Sequence, residues 1–313
     1  MAWGSPSGIV KGEEGLLLPL QQHPHAPVGE ALHGDDGPME ASSLIRPVYK
    51  DFLRFLTALE GGEEPWAAFW RLYLVPNARI FLLYWRSAHF LPLATLRERV
   101  RRIRPQHYGL LRTLEQVADL PGLAREGLRR ALGVLPLPVP PEVYLLVGFF
   151  SPDGMVLEVD GGHAIVVGME RLKVASDLAL IVAHEYGHVA RKTMGPKEPR
   201  TLLSCVVSEG LSSMLVRAVF PEAMFPRPLL FDRRRWNSLV SCEREAMAFL
   251  KENAPSTDPL LIRSFLDGGG PEGRFPPRVG RFVGYRLVEE MLHRTGKSLR
   301  EAFSLPSERF LEQ

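Results

Sequence analysis

An H-E-x-x-H pattern, formed by His184, Glu185 and His188, constrains this chain of 313 residues more than any other feature. The pattern lies in a largely apolar stretch that predicts a helix over residues 177–194, and Gly195 with the proline after it predicts the end of that helix. Residues four apart on a helix lie one turn apart on the same face. Both imidazoles can therefore be directed at one metal ion, and the spacing predicts a zinc site.

Glu185, between the two histidines, is the candidate catalytic residue of the motif. It lies about 100° around the helix from His184, where it could reach a water on the zinc without being a ligand. Zinc lowers the pKa of a bound water towards about 7, and a nearby carboxylate can take the proton as that water attacks a carbonyl group. The motif also contains Gly187, and glycine inside a helix costs about 1 kcal/mol relative to alanine, so we expect another element to pack closely here.

A catalytic zinc needs a third protein ligand and an open fourth position. The extended H-x-x-G-x-x-H signature is excluded because Met194 stands where its last histidine would be. Glu209 lies in the apolar run VVSEGL of the next predicted helix, residues 201–219, and a buried carboxylate must be paired or bound to metal. Glu209 is therefore the predicted third ligand. Glu198 and Glu222, each beside a proline at a helix boundary, are weaker candidates.

Three further polar residues are open candidates for supporting roles. Ser213, one turn after Glu209, could make a weak contact to a zinc-bound histidine. Cys205, one turn before Glu209, would close the site as a fourth ligand, and we expect it instead to be a small core residue. His163 begins a predicted strand and is either a residue that lines the site or a polar strand end.

Changes in composition divide the chain into a tail and one domain of three parts. Residues 1–44 carry scattered Gly, Pro and His without periodicity, which predicts a flexible tail. Residues 45–135 have helical periodicity. Residues 136–196 hold three short apolar runs separated by two tight turns, which predicts a β-meander ahead of the motif helix. Residues 197–313 predict a helical lobe that carries the third ligand, so that residues 45–313 form one catalytic domain.

Charge and cysteine content exclude several classes of protein. The formal net charge of +2 is too small to indicate nucleic acid as the main partner, and two cysteines do not make a disulfide framework. No apolar run approaches the roughly 20 residues of a membrane-spanning helix. We therefore expect a cytoplasmic protein without nucleic-acid or membrane partners, and its oligomeric state stays open. One rival is a nucleic-acid-associated protein that uses the arginine-rich segments 97–104 and 232–235.

With these residues in view, the chain resembles a family of gluzincin-type zinc-dependent proteases that is still catalogued as a domain of unknown function. The likeness covers most of residues 140–313, including AHEYGHVAR, TLLSCVVSEGLSSML and PPRVGRFVGYRLVEEML. The resemblance implies a peptidase with His184, His188 and Glu209 as zinc ligands and Glu185 as general base. It says less about the substrate.

These observations together predict an α+β, zincin-like fold with a small sheet over the motif helix and helical regions on either side in sequence. A peptide or protein substrate would lie along an exposed edge strand, expected at residues 163–167, and pair through backbone hydrogen bonds. Residues 278–286 should supply the group that stabilises the oxyanion, with Tyr285 as first candidate and Arg281 as second. The rival interpretation is a zinc-binding scaffold that recognises a protein partner and cleaves nothing, although such a scaffold has no need of Glu185.

Overall fold

A small mixed sheet and the helices packed on it form the framework of the protein. The computed structural model describes residues 44–87, 92–149 and 152–312, which belong to the unit Glu40–Gln313. The tail predicted at residues 1–44 lies outside the described residues except for Leu44. The sheet has the strand order β1-β2-β4-β3, with bounds β1 (Ile45–Arg46), β2 (Glu142–Leu146), β3 (Gly154–Val159) and β4 (Gly162–Gly168).

The strands do not form the predicted meander. β1 runs parallel to β2 and β2 runs parallel to β4, whereas β3 runs antiparallel to β4 after a turn with Gly161 at φ +79°. Residues 164–168 of β4 are all buried, and a strand buried throughout suits an inner position paired on both sides. The prediction that residues 163–167 form the exposed edge is therefore wrong. On this side of the sheet the edge strand is β3, most of whose side chains are only half-buried, and β1 forms the opposite edge.

The region before β2 is helical and has an aromatic core. Phe52 and Tyr73 pack edge to face with their ring centroids 5.2 Å apart. The buried Tyr73 hydroxyl donates to the Val147 carbonyl and accepts from the Val147 N–H, both at 2.8 Å, which ties this region to the end of β2. The α-helices described here are α1 (Tyr49–Glu60), α2 (Pro65–Phe69), α3 (Ala78–Ser87), α4 (Leu93–Arg101), α5 (Gly109–Val117) and α6 (Leu120–Val134).

The motif helix, α7 (Asp177–Met194), has the predicted bounds and is buried along most of its length. It packs against α6, β3 and β4, and against the next helix, α8 (Leu202–Val219). A Cβ atom added to Gly187 would lie 2.6 Å from the Cα of Ser212 on α8. The expectation that Gly187 reflects close packing of another element is confirmed.

The α-helices described after α8 are α9 (Arg233–Ser241), α10 (Glu243–Asn253), α11 (Pro259–Arg263), α12 (Val279–Thr295) and α13 (Leu299–Phe303). Of these, α10, α11, α12 and α13 pack on α8. α12 crosses α8 at a pair of glycines, since a Cβ on Gly210 would collide with the carbonyl group of Gly284. Within the described ranges, α8 is the helix long and apolar enough to cross a membrane, and 61% of it is buried against its neighbours.

Candidate metal centre

Two imidazoles and one carboxylate meet where α7 packs on α8. The rings of His184 and His188 have centroids 4.9 Å apart and are nearly perpendicular. Glu209 Oε2 lies 3.2 Å from His184 Nε2, and Glu209 Oε1 lies 3.4 Å from His188 Nε2. One donor atom from each residue lies within 4.8 Å of the other two. The structure thus brings the three predicted ligands together.

The distances and the chemistry of this cluster fit a zinc ion. Two donors held about 2.0–2.1 Å from a tetrahedral zinc are about 3.3 Å apart. The two measured separations, 3.2 Å and 3.4 Å, bracket that value. Two histidines with one glutamate are also a common donor set of catalytic zinc sites, which leave the fourth position open.

The charges around the cluster set the protonation states of its members. Burial, with help from the Arg281 guanidinium, lowers the pKa of His184 to about 3, so its imidazole is neutral at pH 7. Burial opposes the ionisation of Glu209, but Arg281 and His188 hold the pKa of its carboxyl well below its usual range. Burial acts to lower the pKa of His188, but the negative charge of Glu209 outweighs it and the pKa is raised. A metal ion bound to His188 would therefore compete with a proton.

A hydroxyl group on α8 orients His188. Ser208 Oγ lies 2.8 Å from His188 Nδ1, while Nε2 of the same ring faces Glu209. Ligating histidines usually have such a partner on their second ring nitrogen, because it fixes the tautomer and the ring direction. The predicted support from Ser213 is not seen, since its buried hydroxyl has no hydrogen-bond partner within the described structure. Cys205 is not a member of the cluster.

Glu185 lies beside the cluster, between α7 and the edge strand. Its side chain is 6% exposed, and burial raises the pKa of its carboxyl to about 7. A Cβ atom on Gly154 of β3 would lie 2.5 Å from Glu185 Cγ and 2.7 Å from Glu185 Oε1. The backbone of β3 therefore packs directly on this carboxylate, and only glycine leaves room for it.

Arg281 on α12 reaches the cluster. Its Nε donates to Glu209 Oε2 at 3.1 Å. The glycine crossing explains this contact, because Gly210 follows Glu209 on α8 and Gly284 lies one turn after Arg281 on α12. The close approach of the two backbones at this point brings the guanidinium onto the carboxylate.

Tyr285 does not join the cluster. Its hydroxyl donates to Glu289 at 2.7 Å and accepts from Arg217, and its ring packs near Phe225. Tyr285 is one turn further along α12 than Arg281, about 6 Å past it along the helix axis, and does not line the cavity next to the cluster. The choice of Tyr285 over Arg281 is therefore corrected: of the two, Arg281 is the one that meets the site.

The cluster opens into a cavity of about 880 Å³. Gly154, Met155 and Val156 of β3 form part of its wall, and no described strand pairs with the outer edge of β3. Asp153, just before β3, is ion-paired with Arg278 at the start of α12. A cavity of this size falls in the range of ligand-binding clefts, and its wall offers a strand edge to an extended chain.

The other predicted candidates lie elsewhere. Glu198 accepts hydrogen bonds from Arg191 and from Ser307, and Glu222 is paired with Arg130. Neither glutamate lines the cavity, and His163 does not line it either.

The two arginine-rich segments are partly engaged within the protein. Arg97 lies over the Trp66 ring, and Arg102 pairs with Glu98 one turn away. Asp232 accepts from the backbone N–H of Arg235 and so caps α9. Such contacts between neighbouring side chains are typical of solvent-exposed helix surfaces.

Sequence reasoning missed two residues that shape the site. Ser208 stands next to the third ligand, but its contact with His188 depends on how α8 is rotated against α7. Gly154 follows Pro152 and Asp153 and has the sequence character of a turn residue. A glycine at the first position of a strand can also indicate the close approach of another group, so a contact at Gly154 could have been predicted from the sequence.

The comparisons with known proteins bear on the same residues. A family model described as "Predicted Zn-dependent protease (DUF2268)" matches residues 155–312, half of the chain, and the chain belongs to this family. The match confirms the resemblance to a family of zinc-dependent proteases. It includes the motif helix, Glu209 and Arg281.

A curated relative adds little about activity. The chain is 28% identical over 152 residues to the uncharacterized protein YjaZ of Bacillus subtilis (strain 168), an alignment that covers 45% of this chain and 54% of YjaZ. The chain thus spans about half the length of that relative. No solved structure matches the chain.

Proposed function

We propose that this protein is a zinc metallopeptidase of the gluzincin type with a zincin-like fold. The observation that carries the proposal is the meeting of His184, His188 and Glu209 in one cluster, with Glu185 buried beside it in the same cavity. Family membership supports the same class of protein.

The residues of the cluster have distinct roles in this proposal. His184, His188 and Glu209 would hold a zinc ion, which would supply a Lewis acid for the substrate carbonyl and would lower the pKa of an adjacent water. Glu185 accepts a proton from the attacking water and passes it to the leaving amine nitrogen. A carboxyl with a pKa of about 7 can both take and release a proton near neutral pH.

Arg281 has two tasks in the proposed reaction. Its bond to Glu209 keeps that carboxylate ionised and oriented. Because Arg281 also lines the cavity, its remaining N–H groups are the candidates to stabilise the oxyanion that forms on the substrate.

The substrate is a peptide or protein that binds as an added strand along the outer edge of β3. Gly154 lies at one end of that strand and packs on Glu185, so a peptide held there would have its backbone beside the general base. Cytoplasmic action remains part of the proposal, and it is supported by the two cysteines, Cys205 and Cys242, which are free thiols.

The test is a Glu185→Gln variant measured on a peptide found by digestion of a peptide library. The change keeps the shape and removes the proton acceptor, so turnover should fall by at least about 10²-fold while zinc content and melting temperature stay unchanged. A His184→Ala protein, purified in the same way, controls for contaminating proteases. Unchanged cleavage by the Gln variant, with none by the His184→Ala protein, would leave the proposed reaction without its base. No cleavage of any library peptide by the zinc-loaded wild-type protein would favour the scaffold interpretation.

A further inference from the structure

The cavity beside the metal cluster has more basic than acidic side chains in its wall. Six cationic side chains line it against four acidic ones, Asp153, Glu185, Glu209 and Asp267. Two of those carboxylates belong to the candidate catalytic centre. The cations are Arg171, Lys192, Arg200, Arg263, Arg278 and Arg281.

Four of the six cations already face a carboxylate of the protein. Arg171 and Arg278 both pair with Asp153, and Arg281 pairs with Glu209. Lys192 lies 3.5 Å from Glu158. Four cations thus face three carboxylates, so most of this positive charge is balanced within the protein.

Arg200 and Arg263 differ from the rest. Both are exposed, and within the part of the chain that the structure describes neither has a carboxylate oxygen within 4 Å. Arg200 hydrogen-bonds the Cys205 thiol, and Arg263 acts electrostatically on the Asp267 carboxyl, one turn later, without an ion pair within 4 Å. Neither guanidinium group is held by a carboxylate of the protein in an ion pair, so both can bind an anion from outside.

The two arginines lie on neighbouring elements, at the start of α8 and at the end of α11. Arg200 stands just before Thr201, the N-cap residue of α8, and α11, which ends at Arg263, packs on α8. The backbone N–H of Leu202 donates to the Ser256 carbonyl at 2.8 Å, which holds the segment before α11 against the start of α8.

Their distance from the metal cluster follows from helix geometry. Leu202, the first residue of α8, is seven residues and about 10 Å before Glu209 along the helix axis, and Arg200 stands two residues before Leu202. An extended peptide advances about 3.3 Å per residue, so the helical part of this separation corresponds to about three residues. Arg263 stands three residues before Leu266, which packs on Gly280 beside Arg281.

We infer that Arg200 and Arg263 form a subsite that binds a carboxylate of the peptide substrate, within a few residues of the cleaved bond. This inference rests on the proposed peptidase function. Guanidinium groups suit the ligand because they bind carboxylates through paired hydrogen bonds, and such charge-assisted bonds are stronger than neutral ones. The carboxylate is either an acidic side chain or the C-terminus of the peptide.

The test measures peptide binding to the zinc-loaded Glu185→Gln protein by fluorescence anisotropy. Three labelled peptides share one neutral sequence: one ends in an amide, one has a Glu replacing Gln at a scanned position, and one has a free C-terminal carboxylate. We expect at least about tenfold tighter binding of one charged peptide at low salt, and a smaller ratio at 0.5 M salt. The charged peptide that gains affinity identifies the source of the carboxylate.

Variants then assign the subsite. In an Arg200→Gln/Arg263→Gln protein the affinity ratio of charged to neutral peptide should fall to about one. An Arg263→Glu protein should instead prefer a peptide with Lys at the same position. Arg300, an exposed arginine of α13 outside the cavity, is the matched control, and Arg300→Gln should keep the wild-type ratio.

The outcomes separate this inference from the proposed function. Equal affinity for the three peptides, or no binding of any, overturns the subsite, and cleavage of the neutral peptide by the wild-type protein would still support the peptidase. Tight binding of a charged peptide that the wild-type protein never cleaves supports the subsite and contradicts the peptidase.

Discussion

Replacing Gly154 by alanine should disable Glu185 without touching the metal ligands. The added Cβ would lie 2.5 Å from Glu185 Cγ and 2.7 Å from its Oε1. Carbon atoms in contact are ordinarily about 3.5–4.0 Å apart, so the strand and the side chain must separate by about 1 Å. The contact includes the middle of a side chain that is only 6% exposed, and a rotation of the carboxylate tip cannot relieve it.

The expected loss follows from that displacement. Moving a catalytic group by about 1 Å can cost about 10²-fold in rate, and we expect a fall in kcat of that order for Gly154→Ala. Zinc content should stay at the wild-type value, because the three atoms nearest the added Cβ all belong to Glu185 and none to a metal ligand. Unfolding free energy should fall by about 1–3 kcal/mol from overpacking. The assays are kcat on a library-derived peptide, bound zinc, and chemical denaturation.

Two comparisons make the result interpretable. Gly162 begins the neighbouring strand and has open space around an added Cβ, so Gly162→Ala is the matched control and should keep wild-type kcat. In the Glu185→Gln background the Gly154→Ala change should have no further effect on kcat, because both act on one group. Wild-type kcat in Gly154→Ala, or additive losses in the double variant, would refute the reasoning.

Three other changes probe the remaining contacts. Glu209→Ala should lose the stabilisation that zinc gives the wild type, about 2.7 kcal/mol at 100 times the dissociation constant, and full zinc occupancy at low micromolar metal would show that the third ligand is misassigned. Burial opposes ionisation of Asp153, but Arg278 outweighs it and lowers the pKa of that carboxyl below 3.8. Its ion pair should therefore stabilise the fold fully above about pH 4 and be lost on further acidification, so the difference in unfolding free energy between wild type and Asp153→Asn should vanish at low pH. Tyr285→Phe should change kcat less than twofold while costing about 1 kcal/mol of stability, and a large loss of kcat with unchanged stability would restore Tyr285 as the oxyanion donor.

Local sequence was sufficient to predict the motif helix and the placement of its two histidines. An apolar stretch that ends at Gly195 and the proline after it specifies α7, and the four-residue spacing of its histidines puts them on one face in any fold that keeps the helix. Glu209 could be predicted for a related reason, since a carboxylate inside an apolar helix needs a positive partner wherever that helix packs. Gly187 likewise predicted a close contact with another element, but the sequence did not indicate that Ser212 would be the residue in contact.

The order of the strands could not be read from the sequence in the same way. Apolar runs and turn residues mark where strands begin and end, and they predict an antiparallel return where a tight turn joins two of them, as at Gly161. They do not determine which strand pairs on the far side of β4. The pairing on that side depends on how deeply β4 is buried beneath the helices. Because β2 pairs there, β3 is left as the edge strand that faces the cavity.

The finer contacts of the site were decided by how the helices cross. Glu209 and Arg281 are 72 residues apart in sequence, and only the backbone contact between Gly210 and Gly284 brings their side chains together. The spacing along α12 was compatible with either Tyr285 or Arg281 as the residue that stabilises the oxyanion, because the two lie on one face of that helix. Residue types and local spacing therefore determined the chemistry available to the cluster. Tertiary packing decided which neighbours hold it in position, because helix crossings and strand order bring together side chains that no local pattern relates.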